Sequence, residues 1–136
     1  MADEEIEALR RIYTALQQHD VEEIRRSVAH DIEWTMPEAL PWGGTHHGHD
    51  GLLSVAGIHE ELVDGEWADP DEYFEAEGRY VVLGRTQGRV RASGAAFAVP
   101  FAHVWNMSHG LPTAFRAYLD TAPITAALDE PSDEGG

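Results

Sequence analysis

The sequence predicts an α+β fold in which N-terminal helices close a curved antiparallel sheet. Apolar residues recur at helical spacing mainly in the first half of the chain. Most of the second half is a series of apolar stretches rich in β-branched and aromatic residues, broken by short Gly-containing turns. A length of 136 residues suits one core and is too short for two. The expected organisation is a single domain over 1–128 followed by an acidic flexible tail over 129–136.

The elements follow in order. Ile6, Leu9, Ile12, Tyr13 and Leu16 share one helical face, with Asp3 placed to cap the start. Asp20 and Glu23 have the spacing of a capping box, which opens a second short helix with Ile24 and Val28 turned inward. Ile32, Trp34 and Met36 alternate with polar residues up to Pro37, as in a half-buried strand. A loop rich in Pro, Gly and His follows. Leu52, Leu53, Ala56, Ile58 and Leu62 predict a third helix from Asp50, which Gly51 and Gly57 weaken. Strands are expected over 73–76, 80–91, 95–107 and 111–119. Their connections, Glu77-Gly78, Ser93-Gly94 and Ser108-His109-Gly110, are short enough for antiparallel hairpins. Such strands twist strongly and can curl around a core that the helices close. A short helix over 123–128 completes the fold.

Composition limits the partners. The chain carries 25 Asp and Glu against 9 basic residues, all arginine, for a net charge of −16. That charge repels phosphate backbones and anionic lipid, so neither nucleic acid nor membrane is an expected partner. Acid spread along the chain, with no lysine, points to a soluble cytoplasmic protein at high salt, where screening weakens self-repulsion; an acidic mesophilic protein is the alternative. No cysteine is present, which excludes disulfides, thiol catalysis and Cys-ligated metals.

Helices, an early strand, another helix and then a long curved sheet form a layout that resembles the nuclear transport factor 2-like and ketosteroid isomerase superfamily. Three stretches sharpen the likeness: Gly44 to Gly51 (GTHHGHDG), Phe101 to Trp105 (FAHVW), and Gly110 through Phe115 to Asp120 (FRAYLD). They most resemble the SnoaL-like polyketide cyclase branch. Where such loops often place an aromatic residue between the glycines, this chain has His46 and His47. The resemblance implies a cone with an apolar cavity, frequent dimerisation through the exposed sheet face, and an acid/base aspartate ending the closing strand, here Asp120.

A carboxylate in a dry cavity holds its proton more tightly and can exchange it with a carbon beside a carbonyl, which is the role Asp120 would fill. Asp120 could instead cap the helix after Thr121 or pair with an arginine. His103 shares strand parity with Phe101 and Trp105; it could bond a ligand, orient Asp120, or be a core histidine satisfied by a neighbour. Tyr118 and Arg116 share parity with Asp120, which makes Tyr118 a donor for a developing enolate oxygen, while Arg116 could form a surface ion pair. Tyr13, Trp34, Met36, Trp42, Phe74, Phe97, Phe101 and Trp105 are the expected apolar walls or core. Glu38 follows the first strand as a weaker base candidate in a proline-flanked loop.

His46, His47 and His49, with Asp50 and His59, invite a metal reading, but no recognised ligand spacing is present, so no metal and no other cofactor is expected. Arg89-Val90-Arg91 lacks the aspartates of the epoxide hydrolases that share this fold. Serine-elbow, phosphate-loop and zinc-helix motifs are missing from the sequence. Two functions remain: a cofactor-free isomerase, cyclase or hydratase acting on a small apolar carbonyl compound, or a non-catalytic ligand-binding or dimerisation module.

Overall fold

A computed structural model describes residues 2–131 apart from Glu66. Among these residues four helices pack on a seven-stranded curled sheet that forms a half-barrel. The helices are α1 (Ala2–Gln17), α2 (Val21–Arg26), α3 (Gly48–Leu62) and α4 (Ala122–Leu128). The strands are β1 (Glu33–Met36), β2 (Gly44–His47), β3 (Val63–Asp64), β4 (Asp69–Ala76), β5 (Arg79–Val90), β6 (Ala96–Ser108) and β7 (Leu111–Leu119). Most of the predicted tail, 132–136, lies outside the described residues.

The sheet runs β2-β1-β7-β6-β5-β3, and β4 occupies the remaining length of the β5 edge. It is mixed rather than wholly antiparallel, because β1 lies parallel to β7 with Trp34 opposite Phe115. That pair is not a hairpin; β1 is carried to the far end of the sheet by the long path through α3 and β4–β6. Two tight turns set the hairpin registers. Glu77-Gly78 and His109-Gly110 all have positive φ, the type I′ signature that matches strand twist.

The histidine-rich loop contains an unpredicted strand. Gly44 to His47 pairs with β1, and positive φ at Gly48 lets the chain turn from that strand directly into α3. The helix therefore starts two residues before Asp50. Only half of the capping box forms at α2. Asp20 Oδ1 accepts from the Glu23 N–H at 3.2 Å, but Glu23 turns its own carboxylate to Arg26 at 2.9 Å.

Strand parity sorts the sheet's two faces. Phe97, Val99, Phe101, His103 and Trp105 of β6 are buried, as are Phe115 and Ala117 of β7. Leu9, Ile12, Tyr13 and Leu16 of α1 pack into the same core. Gly88 on β5 is needed for this packing: a Cβ there would meet Val63 Cγ1 at 2.7 Å and the Phe97 ring at 3.1 Å. The missing side chain lets Phe97 lie across the strand toward the interior.

Candidate functional site

Between the concave sheet face and the helices lies a cavity of about 80 Å³. A single buried water needs roughly 10–15 Å³, so this space admits a small molecule. Five large aromatic rings stand in its wall: Trp34, Trp42, Trp67, Phe97 and Phe115. Leu16 of α1, Val55 of α3 and Ile124 of α4 close it from the helical side. Three of these aromatics, with Met36, are sequence-predicted wall residues.

His103 is the sheet's titratable contribution to the cavity. Its Nδ1 lies 2.6 Å from the Tyr13 hydroxyl, and that hydroxyl accepts the Trp105 Nε1–H at 2.9 Å. An indole can only donate, so the tyrosine's own proton is free to go to His103. The network thereby assigns Nδ1 as acceptor and leaves Nε2 carrying the imidazole proton on the ring edge available to the cavity. Phe101 stacks on His103 at 3.8 Å and Phe115 meets it edge-on at 4.6 Å. Burial lowers the His103 pKa to about 3, so the ring is neutral at physiological pH. Burial also pushes the Tyr13 hydroxyl well above its ordinary range. Tyr13, Phe101 and Trp105 thus build the support behind His103 and do not themselves line the cavity.

The helical wall contributes His59, which sequence reasoning treated only as a possible metal ligand. It is buried, packed between Trp42 at 4.7 Å and Trp67 at 5.7 Å, and its Nδ1 has no partner among the described residues. Burial, reinforced by the positive charge of His19 and Arg91, lowers its pKa to about 4. Trp67 was not anticipated either. His19 stacks on it at 4.6 Å while holding the Glu60 carboxylate at 2.9 Å and the Gly65 carbonyl at 2.8 Å. The alternation that marks strands could not reveal Trp67, because it stands in an irregular segment beside Gly65.

The closing strand requires a correction. Phe115, Ala117 and Leu119 face inward, so Arg116, Tyr118 and Asp120 face out. Asp120 is exposed, and its Oδ1 accepts the Ala122 N–H at 3.2 Å, which places it at the start of α4 and outside the cavity. Tyr118 is 51% exposed and stands in an outer groove with Arg79 and Arg116. Neither is near His103's cavity edge, because adjacent positions on a strand point to opposite faces. Phe74 is likewise on the surface, 48% exposed. Glu38 is exposed as well.

The histidines of the loop disperse. His46 Nε2 lies 2.9 Å from the Gly43 carbonyl, His49 stacks edge-on with His30, and His47 is exposed. Among the described residues no three His, Asp or Glu side chains are grouped to hold a metal ion. No described helix is long and apolar enough to cross a membrane.

A helix-capped half-barrel around one aromatic cavity defines an NTF2-like protein. The family description "SnoaL-like domain" matches residues 9–120, and the chain belongs to that family. No protein of curated function matches it. Among solved structures, an NTF2-like protein of unknown function from Burkholderia pseudomallei is similar at 27% identity and TM-score 0.86, with 93% of this chain and 98% of that one covered. TerC, co-crystallised with polyporic acid, is similar at 28% identity and TM-score 0.81, covering 93% and 99%. A SnoaL-like polyketide cyclase from Jannaschia shares the fold at 14% identity and TM-score 0.78, with coverage of 95% and 94%.

Proposed function

We propose that this SnoaL-like protein binds a small apolar carbonyl compound in the aromatic cavity and that His103, held by Tyr13, is its polar anchor. The observation that carries this reading is the buried 2.6 Å contact by which Tyr13, behind the cavity wall, holds His103 in it. It fixes a neutral imidazole with its N–H available to an acceptor oxygen. Co-crystallisation of TerC with polyporic acid supports a ligand in the corresponding fold.

If the bound compound is turned over, the chemistry is a cofactor-free isomerisation, cyclisation or hydration. A neutral imidazole is a weak base at a pKa of about 3 but a competent hydrogen-bond donor to a carbonyl oxygen, so a proton lost by the neighbouring carbon goes to solvent water and not to His103. His103 then stabilises charge on the carbonyl oxygen. Asp120, tied to the α4 N-terminus, serves the fold. A non-catalytic binding module would use the same contacts without turnover.

Ligand binding separates the roles. His103→Gln keeps a donor near the Nε2 position and is expected to retain binding of a small aryl ketone; His103→Phe is expected to weaken it about 10-fold or more, the worth of one buried hydrogen bond. Asp120→Asn is expected to bind as the parent does. Loss of binding in Asp120→Asn with retention in His103→Phe would reverse the assignment.

A homodimer through the outer sheet face also fits. Residues 79–119 contain no Asp or Glu, although the chain has 25, and they hold five of the nine arginines. Glu33 of β1 stands in the same outer groove as Arg79 and Arg116, so two such faces can meet with opposite charges opposed. Light scattering in high salt is expected to give a dimer mass, and Tyr118→Glu to give a monomer. A monomeric parent protein would reject this arrangement. A cytoplasm at high salt suits a chain of this charge.

A further inference from the structure

The cavity's wall contains three kinds of polar side chain, hydroxyl, indole and imidazole, and none bears a fixed charge. The Thr86 hydroxyl is already committed, donating to the Trp67 carbonyl at 2.9 Å. The indoles are donors only. The two remaining groups are the imidazoles of His59 and His103. No Asp, Glu or Arg lines the space, although these residues make up a quarter of the chain.

That composition selects by charge. A carboxylate or ammonium entering this space would lose its hydration and find no opposite charge to replace it, a cost that burial makes severe. A carboxylate could gain a counter-ion only by protonating His59 or His103. Both rings are buried among aromatics, and the arrangement opposes this. His103 would have to accept a proton at the Nδ1 that already receives the tyrosine's. His59 stands near Arg91, whose positive charge opposes a second one. An uncharged carbonyl meets no such penalty. Its oxygen can accept from His103 Nε2 while its flat apolar body lies against indole and phenyl faces.

We infer that the cavity discriminates by charge, taking an uncharged, planar, unsaturated carbonyl compound and rejecting carboxylate and ammonium compounds of the same size. This rests on the proposal that the cavity is a ligand site anchored at His103, and it adds the chemical class of the ligand.

Acetophenone, benzoate and benzylammonium present one ring with a neutral, an anionic and a cationic head, and their naphthalene homologues extend the series in size. Titration of the whole protein at pH 7 and high salt, followed by tryptophan fluorescence, reports directly because three tryptophans line the cavity. The expected result is that at least one ketone binds about 100-fold more tightly than both charged compounds of its size. The ketone should also move the His103 Nε2–H resonance. Benzoate or benzylammonium binding as tightly as the ketone, with the same resonance moved, would overturn the charge selection while leaving the cavity reading intact. If none of the six binds, the cavity reading itself fails and the selection falls with it.

Discussion

The inner and outer faces of β6 and β7 are made from interleaved residues of the same two strands, yet they have opposite chemistry. Inward, Phe101, His103, Trp105 and Phe115 form a dry aromatic array in which every described polar atom but the cavity edge of His103 is engaged. Outward, Arg116, Tyr118 and Asp120 are exposed to solvent, and Arg116 and Tyr118 share a groove with Glu33 and Arg79. The difference shows that a residue's place in a motif is a weaker guide to its role than its parity on the strand. Asp120 ends a stretch that resembles the family's closing strand, but its parity puts it with Tyr118, away from the cavity.

Substitutions on the two faces should therefore differ most. Trp105→Ala empties a fully buried site and should cost roughly 3–5 kcal/mol. Tyr118→Ala, compared at the same assembly state, should stay within about 0.5 kcal/mol. Denaturant midpoints at fixed salt measure both, and equal losses would dissolve the distinction between the faces.

Tyr13→Phe tests the link that makes the inner face polar as well as apolar. It leaves the Trp105 indole N–H without its acceptor and His103 Nδ1 without its donor, for an expected cost of about 1–3 kcal/mol. An unchanged unfolding midpoint would mean that the hydrogen bonds are dispensable.

The pH dependence has a definite sign. His59 and His103 are held at about 4 and about 3 in the fold, below the unfolded histidine value near 6.5. The unfolded chain thus binds more protons between these limits, and stability falls as pH drops from about 6.5 toward 4. Each histidine should contribute a slope of up to about 1.4 kcal/mol per pH unit in that window. His103→Gln should flatten the dependence by one histidine's share; an unaltered slope would place the ring in a wet environment.

The smallest effect is expected at Asp120. Removing its contact to the Ala122 N–H by Asp120→Ala should cost about 0.5–1 kcal/mol, while Asp120→Asn, which can still accept, should cost less. A larger loss in Asp120→Asn, measured by thermal unfolding, would show that its charge has a role beyond the turn.

Much of the fold was legible because the relevant signals are local. The α1 stripe from Ile6 to Leu16, the Asp20 cap and the Gly-containing hairpin turns each act within a few residues, and all appear in the structure. The wall residues Trp34, Met36, Trp42 and Phe97 could be named for the same reason. The β1–β7 pairing was hidden because parallel partners distant in sequence leave no turn signal. β2 was hidden because Gly44 and the paired histidines resemble loop composition, and its strand exists only through β1. His59 and Trp67 became cavity walls through the approach of α3 to an irregular segment, a tertiary event that no spacing encodes. The parity of the closing strand was written in the sequence, since Phe115, Ala117 and Leu119 alternate with Arg116 and Tyr118; the family likeness drew attention to Asp120 instead.

His103 presents a neutral Nε2–H to the cavity because Tyr13 donates to its Nδ1. Nitrogen-15 NMR of the histidine rings at pH 7 tests it most directly, with His103→Gln identifying the resonance and acetophenone added as a ligand probe. The predicted result is a protonated Nε2 and an acceptor Nδ1, converting to a tautomer mixture in Tyr13→Phe, with Nε2 shifting when the ketone binds. A ring protonated at Nδ1, or one that carries both protons at pH 7, would mean that Tyr13 does not hold His103 as a neutral donor to the cavity.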